Sequence, residues 1–100
     1  MQLLHTAYNR TIKTHELAVL TGVGERQFLR LFTKHTGMNV TDYLQNIRVD
    51  RACDLLQSSN RKVSDIAASV GYHNVAFFNE LFKKKTGVSP REFRHRNRLL

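Results

Sequence analysis

The sequence of 100 residues predicts an all-α domain in which two helix-turn-helix units are joined by a long central helix. Three observations predict this fold class. Apolar residues recur at a spacing close to 3.6, no stretch of strand length alternates between apolar and polar residues, and one sequence pattern occurs twice. A chain of this length suits one domain, because two independent cores would be cramped in it.

Turn-forming residues divide the helical pattern into about seven segments. The predicted helices cover residues 2–8, 14–21, 25–36, 40–57, 64–70, 74–86 and 90–96. Gly22 and Gly71 follow helices at points where a left-handed backbone ends a helix. The seven predicted helices are therefore separated by short turns.

Three of the predicted helix starts carry capping residues. Ser89 is followed by Pro90 and Glu92, which is the pattern of an N-cap, a first-turn proline and a capping-box acid. Asn39 precedes a helix in a similar arrangement, and Ser64 is the predicted N-cap of the fifth helix. The starts of these helices are thus specified locally.

An internal repeat relates the two halves of the chain. Its first copy contains Leu17-Ala18, Gly22, Phe28, Leu31-Phe32 and Thr36-Gly37, and its second contains Ile66-Ala67, Gly71, Phe78, Leu81-Phe82 and Thr86-Gly87. Each copy is a short helix, a turn with glycine and a longer helix, the layout of a helix-turn-helix that places its second helix in the DNA major groove. We predict a first unit at about 1–38, a central helix at 39–57 and a second unit at 58–100.

The charge of the chain favours a polyanionic partner. Lys and Arg number 16 against 8 acidic residues, which gives a formal net charge of +8. The single cysteine, Cys53, excludes an internal disulfide framework and a cysteine-rich zinc site. No apolar run approaches the length of about 20 residues that spans a bilayer, and no signal peptide is recognisable, so we expect a cytoplasmic protein without a membrane partner.

A family resemblance extends over essentially the whole chain. Its signature residues are Ile66-Ala67-Ala68, Gly71-Tyr72, Phe78, Leu81-Phe82-Lys83-Lys84, Gly87, Ser89-Pro90 and Phe93-Arg94, preceded by Tyr43-Leu44, Arg48, Ala52 and Leu55-Leu56. In these residues the sequence resembles the DNA-binding domain of the AraC/XylS family of bacterial transcription regulators. It departs from the family pattern at Gly24, Ala76 and Glu80.

The resemblance implies a sequence-specific regulator that binds double-stranded DNA. Its recognition helices would be residues 25–36 and 74–86, and the central helix, about 25 Å long, would let both meet successive major grooves. The resemblance also implies a transcription regulator, an activator unless it acts as a repressor, that recruits or positions RNA polymerase at the bacterial nucleoid. Members often carry an effector or dimerisation domain, so the chain is either an isolated C-terminal domain or a short regulator, and we expect it to be monomeric.

The first recognition helix carries the stronger base-reading signal. The positions that face away from its apolar side are Arg26, Gln27, Leu29, Arg30 and Thr33. Arginine can bind guanine O6 and N7 with two hydrogen bonds, and glutamine can pair with adenine. We predict that the first four positions contact bases and that Thr33 contacts the DNA backbone. The alternative is that the two arginines lie on a solvated surface.

The second recognition helix presents a different set. Its exposed positions are Val75, Ala76, Phe77, Asn79 and Glu80, all predicted to contact bases. Only Asn79 and Glu80 can hydrogen-bond a base edge, whereas the other three can contact only thymine methyl groups. The alternative is that this helix mainly positions the protein on the DNA.

The remaining polar residues of this region are predicted to contact the DNA backbone. Besides Thr33, the set is Lys34, His73, Asn74, Lys83, Lys84, Lys85, Arg91 and Arg94. Arg96 and Arg98 belong with them unless they form a frayed basic tail.

No sequence feature favours an enzyme, a metal site or a cofactor. The five histidines do not recur three or four residues apart, and no phosphate-binding loop or catalytic carboxylate pair stands out. Cys53 lies in a helical apolar pattern and is interpreted as a buried, inert thiol. The alternative function from another class is a basic helical adaptor that binds an acidic protein or structured RNA.

Overall fold

The computed structural model describes residues 2–98, and seven α-helices and no strands are found there. The helices are α1 (Gln2–Thr6), α2 (Thr14–Thr21), α3 (Glu25–Thr36), α4 (Val40–Ser58), α5 (Val63–Ser69), α6 (Val75–Thr86) and α7 (Pro90–Arg98). The predicted all-α fold class is confirmed. In this described part, no helix combines the length and the apolar character needed to cross a membrane.

The chain forms two compact units, and the boundary between them lies inside α4. One unit ends at Ile47 and the other begins at Arg48. Helix α4 has 19 residues and is therefore about 28 Å long. It supplies residues to both units.

The first unit packs around six buried residues. They are Leu4, Leu17, Ala18, Phe28, Phe32 and Val40, with Tyr43, Leu44 and Ile47 of α4 partly buried against them. Ala18 is only 2% exposed, and its small side chain lets α2 and α3 approach each other closely. The buried residues of α3 recur four apart, so one side of that helix is fixed by the core and the other is left in solvent.

The second unit has an equivalent core. Its buried residues include Ile66, Ala67, Val70, Phe78, Leu81 and Phe82, and α4 adds Val49, Ala52 and Leu56. Phe78 and Phe82 are both fully buried. Helix α6 therefore buries the same side, at the equivalent positions, as α3 does in the first unit.

The two units repeat their ring geometry closely. Phe28 and Phe32 have ring centroids 5.8 Å apart at 47°, and Phe78 and Phe82 have the same separation and the same angle. The threonine that ends each longer helix donates a hydrogen bond to the carbonyl four residues before it, at 2.7 Å for Thr36 and 2.8 Å for Thr86. The sequence repeat thus corresponds to a repeat of packing.

Five of the seven predicted helices differ from the structure by one or two residues at one or both ends. The end of α1 and the start of α5 have identifiable causes. Helix α1 ends at Thr6 and not at residue 8, because the Arg10 amide donates to the Ala7 carbonyl three residues before it and closes a turn. Ser64 does not cap α5. The cap residue is Lys62, whose carbonyl accepts the Ile66 amide at 3.0 Å and so starts the helix before Ser64.

Two other caps form as predicted. The Ser89 hydroxyl accepts a hydrogen bond from the Glu92 amide at 3.1 Å, and the Asn39 side chain accepts one from the Asp42 amide at 2.8 Å. Because the first amides of a helix lack partners inside it, these bonds fix where α4 and α7 begin.

Candidate nucleic-acid interface

The exposed side of α3 gathers the residues predicted to read bases. Arg26, Gln27 and Arg30 line one shallow surface depression together with Gly24 at the start of the helix. All four are exposed, and Leu29 beside them is 36% exposed. The depression therefore presents two guanidinium groups and one amide, which are the side chains that recognise purine edges.

The cations of this surface are not neutralised by the protein. Within residues 2–98, no carboxylate forms an ion pair with Arg26 or Arg30. The nearby acid, Glu25, accepts a hydrogen bond from the Thr14 hydroxyl at the start of α2. Thr33 and Lys34, on later turns of α3, are also exposed. The α3 surface is accordingly open to an anionic partner.

The exposed side of α6 is mostly apolar in its first turn. Val75 is 38% exposed and Phe77 is 48% exposed, with Ala76 exposed between them. Asn79 and Glu80 follow on the next turn and are exposed. In the described part of the chain, Glu80 forms no ion pair with the lysines further along its helix. Its carboxylate is available to a ligand.

The end of α6 concentrates positive charge. Lys83, Lys84 and Lys85 occupy its last turn and are exposed. Cations at the C-terminal end of a helix interact favourably with its dipole, so this cluster is compatible with a stable helix while it remains accessible to phosphate.

The two recognition helices start differently. Gly24 is the N-cap of α3, with an extended backbone and no side chain to accept a hydrogen bond. Asn74 is the N-cap of α6, and its Oδ1 accepts from the Phe77 amide at 3.1 Å. Helix α6 therefore begins at Val75, one residue later than predicted, and Asn74 has a structural task in addition to its predicted phosphate contact.

The turn before α6 is held by contacts that the sequence analysis missed. Tyr72 is 9% exposed, and the Arg48 guanidinium carbon lies 4.9 Å from the centroid of its ring. Gly71 has φ of +108°, a left-handed conformation that favours glycine. His73 is exposed beside them. Both Arg48 and Tyr72 belong to the family signature, but they lie 24 positions apart in the sequence, so no local pattern reveals their contact.

Arg94 is placed differently from the other predicted backbone contacts. It is half-buried, and its guanidinium donates to the carbonyls of Leu56 at 3.2 Å and Ser59 at 3.3 Å. Leu56 lies in the last turn of α4, where backbone acceptors lack helical partners, and Ser59 directly follows the helix. Arg94 therefore closes that helix end.

Arg91 and Arg96, also on α7, are both exposed. Arg91 lines a depression with Ser89, Glu92 and His95. Arg96 pairs with Glu92, with 3.7 Å between Nη2 and Oε1. The side chain of Arg98 lies outside the described residues.

The cysteine has the environment of an unreactive thiol. Cys53 is half-buried, and desolvation, followed by the nearby Asp50 and Asp54 charges, raises its pKa to about 11. It therefore stays protonated at neutral pH. Over residues 2–98, no group of three or more His, Cys, Asp or Glu side chains is arranged to hold a metal ion.

Sequence relatives identify the domain type. A family model described as a helix-turn-helix domain matches residues 17–96. The HTH-type transcriptional activator RhaR of Yersinia pseudotuberculosis is 39% identical over 72 residues, which cover 72% of this chain and 25% of that protein. RhaR of Cronobacter sakazakii is 38% identical over a segment of the same length and coverage. The chain thus spans about a quarter of the length of these relatives.

Solved structures agree with the sequence match. An AraC-type transcriptional regulator from Chromobacterium violaceum has a TM-score of 0.89 at 26% identity, with 96% of this chain and 86% of that chain covered. The DNA-binding domain of the global transcriptional factor AdpA, crystallised with a target DNA, also has a TM-score of 0.89 at 26% identity, covering 98% of this chain and 87% of that one.

The repeated helix pairs and their exposed second helices define a double helix-turn-helix domain. The chain belongs to the AraC/XylS family of helix-turn-helix domains. The resemblance on which the sequence analysis relied is therefore confirmed. The relatives are named as transcription regulators, which agrees with the prediction that the chain is not an enzyme.

Proposed function

We propose that this chain is a sequence-specific DNA-binding domain of a bacterial transcription regulator. One observation carries the proposal: Arg26, Gln27 and Arg30 share one exposed surface of α3, and no carboxylate among the described residues pairs with the two arginines. The relatives support it, since RhaR is named a transcriptional activator and the DNA-binding domain of AdpA was crystallised with a target DNA.

Helix α3 is the main reader of bases in this proposal. Arg26 and Arg30 lie four residues apart on one helix side, so both can reach guanines in one major groove. Gln27 between them can make paired hydrogen bonds with adenine, and Leu29 can contact a thymine methyl. The buried Phe28 and Phe32 hold this surface on a rigid support.

Helix α6 enters the next major groove with fewer side chains that can hydrogen-bond base edges. Asn79 can pair with adenine, and Glu80 can accept a hydrogen bond from the amino group of cytosine. The first-turn residues Val75, Ala76 and Phe77 offer apolar contacts only. We therefore expect most of the discrimination between sequences to come from α3.

Backbone contacts supply most of the affinity. The exposed residues assigned to them are Thr33, Lys34, His73, Asn74, Lys83, Lys84, Lys85 and Arg91. Each cation that neutralises a phosphate releases counterions into solution. Arg94 is left out of this set because its guanidinium donates to the end of α4.

The proposal extends to a biological role that the names of the relatives support. We propose that the domain binds a promoter element as a monomer and positions RNA polymerase there, as an activator at the nucleoid in the bacterial cytoplasm. The description of RhaR as a transcriptional activator supports this step.

A salt titration on a selected duplex tests the proposal. The duplex is chosen by binding from a random pool, and its Kd is measured between 50 and 200 mM salt. If about six to ten phosphates are neutralised, the Kd rises by about a thousandfold or more over this range. A flat response would contradict duplex DNA as the main ligand.

Competition separates DNA reading from the binding of any polyanion. The selected duplex is expected to displace a labelled copy at lower concentration than a random duplex, heparin or a structured RNA. If heparin or the RNA competes as well as the selected duplex, the chain is a basic adaptor and the proposal is wrong.

A further inference from the structure

Phe77 is an aromatic residue that the first turn of α6 leaves in solvent. Its side chain is 48% exposed, whereas the next residue, Phe78, is fully buried. Val75 lies on the same turn and is 38% exposed. The first turns of a recognition helix are the part that contacts base edges, so these apolar side chains occupy a place where a polar reader would be expected.

The ring of Phe77 rests on a second ring. Its centroid lies 5.7 Å from that of Tyr72, at an angle of 45° between the planes. Tyr72 also contacts Phe78 at 6.0 Å, and its amide donates to the Ala67 carbonyl at 2.8 Å. The Phe77 ring is therefore supported from one side by a residue that is itself fixed in the core.

Arg48 completes the support from α4. Its guanidinium carbon lies 4.9 Å from the Tyr72 centroid, within the range of a cation–π contact. A Cβ atom at Gly71 would lie only 3.1 Å from Arg48 Nε, which shows how closely the guanidinium approaches the turn. The buried Tyr72 hydroxyl has no hydrogen-bond partner among the described residues. The position of the Tyr72 ring thus depends on these packing contacts.

We propose that Arg48 and Tyr72 hold Phe77 in position to contact the C5-methyl group of thymine in the DNA major groove. This inference rests on the proposed function and assigns α6 a ligand chemistry. Phe77 is the residue that contacts the base, and Arg48 is a positioning residue that acts through Tyr72. A ring cannot hydrogen-bond a base edge, and the thymine methyl is the one apolar group that unmodified base pairs present in the major groove.

Replacement of single thymines by deoxyuridine tests the contact. The change removes only the methyl group from the selected duplex and leaves pairing and phosphates as they were. Burial of one such group is worth about 0.8 kcal/mol, so the Kd should rise about fourfold at a thymine that Phe77 contacts. The Phe77→Ala variant should lose this response and bind both duplexes equally.

Leu29→Ala is the matched control. Leu29 is also an exposed apolar residue of a recognition helix, 36% exposed on α3. Its removal should leave the deoxyuridine response unchanged at the thymines assigned to Phe77. If both variants abolish the response at the same thymines, the assignment to Phe77 is wrong.

The role of Arg48 is tested by the ratio of the Kd for the deoxyuridine duplex to the Kd for the thymine duplex. Arg48→Gln should bring the deoxyuridine-to-thymine ratio toward one, with no further change when it is combined with Phe77→Ala. Tyr72→Phe keeps the ring and should leave the ratio at the wild-type value. A uniform loss of affinity with an unchanged ratio would show that Arg48 is only a phosphate contact or a stabilising residue.

The possible failures are distinguishable. If Arg48→Gln does not fold, as judged by circular dichroism, the exposed Phe77→Ala variant still decides whether the methyl contact exists. Specific binding with a deoxyuridine response that survives Phe77→Ala, or with no such response at all, would overturn this inference alone. The absence of any preference for the selected duplex would overturn the proposed function and this inference together.

Discussion

The recognition helices α3 and α6 have the same buried side and different exposed sides. In both, two phenylalanines four residues apart have centroids separated by 5.8 Å at 47°. A third ring closes each cluster, Tyr43 on Phe32 at 5.2 Å and Phe93 on Phe82 at 5.5 Å. Each helix is then followed by a glycine with positive φ, Gly37 or Gly87. The core of one unit thus repeats that of the other.

The two helices differ in their exposed residues, which contact solvent. The exposed side of α3 carries Arg26 and Arg30, and that of α6 carries Phe77 and Glu80. Five residues, 70–74, lie between α5 and α6, whereas only three, 22–24, lie between α2 and α3, and the longer turn contains the buried Tyr72. Packing therefore fixes one side of each helix and leaves the other free to differ. Under the proposed function, this allows one framework to contact two dissimilar half-sites.

The shared framework predicts equal losses of stability in the two units. Phe32→Ala and Phe82→Ala should each lower the free energy of unfolding by about 3 to 5 kcal/mol, because each removes a buried ring and leaves a cavity. Urea denaturation followed by circular dichroism measures this. Lys34→Ala, an exposed change on α3, serves as the control and should have little effect. A loss below about 1 kcal/mol for either phenylalanine would break the equivalence.

The different exposed sides predict an effect confined to binding. Arg26→Ala or Arg30→Ala should weaken binding to the selected duplex by about 1 to 3 kcal/mol and binding to random DNA much less, since a paired guanine contact depends on sequence. Titration of both duplexes with each variant measures the difference. Equal losses on both would reassign these arginines to the DNA backbone.

The helix starts offer a smaller contrast. Asn74→Ala should destabilise the chain by about 1 kcal/mol, because the cap to the Phe77 amide is lost. The reciprocal changes Asn74→Gly and Gly24→Asn should lower and raise stability, respectively, by a few tenths of a kcal/mol. A Cβ at Gly24 meets no atom within 4 Å, so the added side chain has room. Thermal unfolding of the three variants without DNA is the measurement, and no gain for Gly24→Asn would contradict the cap argument.

Local sequence patterns made much of the fold and of the candidate interface predictable. The 3.6 spacing places Phe28 and Phe78 on buried sides and Arg26 and Glu80 on exposed ones, because helical periodicity is a local property. The caps at Ser89 and Asn39 are local for the same reason.

Contacts between residues far apart in sequence were not predictable in this way. Arg94 lies in a basic segment and looks like a phosphate contact, yet its guanidinium reaches carbonyls up to 38 residues away. The Arg48 contact with Tyr72 likewise depends on how α4 packs against the turn between α5 and α6. The error at Ser64 has a different origin, because this residue of a capping type lies two positions after Lys62, the residue that caps α5.

The smallest effect is expected for the acid of α6. Glu80→Gln removes a negative charge from the side of α6 that is proposed to face DNA. Affinity for any duplex should therefore rise, by less than about fivefold because exposed charges interact weakly. Any preference for cytosine opposite this residue should fade at the same time. A fall in affinity on every duplex would instead identify Glu80 as a structural residue. Titration of selected and random duplexes with this variant distinguishes the two results.

The central claim is that α3 discriminates strongly between bases and α6 only weakly, although both helices are held by the same kind of core. A base-by-base substitution scan tests this claim most directly. Each base pair of the selected duplex is changed in turn and the Kd is measured at one salt concentration. Changes beneath α3 should raise the free energy of binding by about 1 to 3 kcal/mol each, and most changes beneath α6 by less than about 1 kcal/mol. Equal sensitivity across both half-sites, or the greater sensitivity beneath α6, would contradict the account.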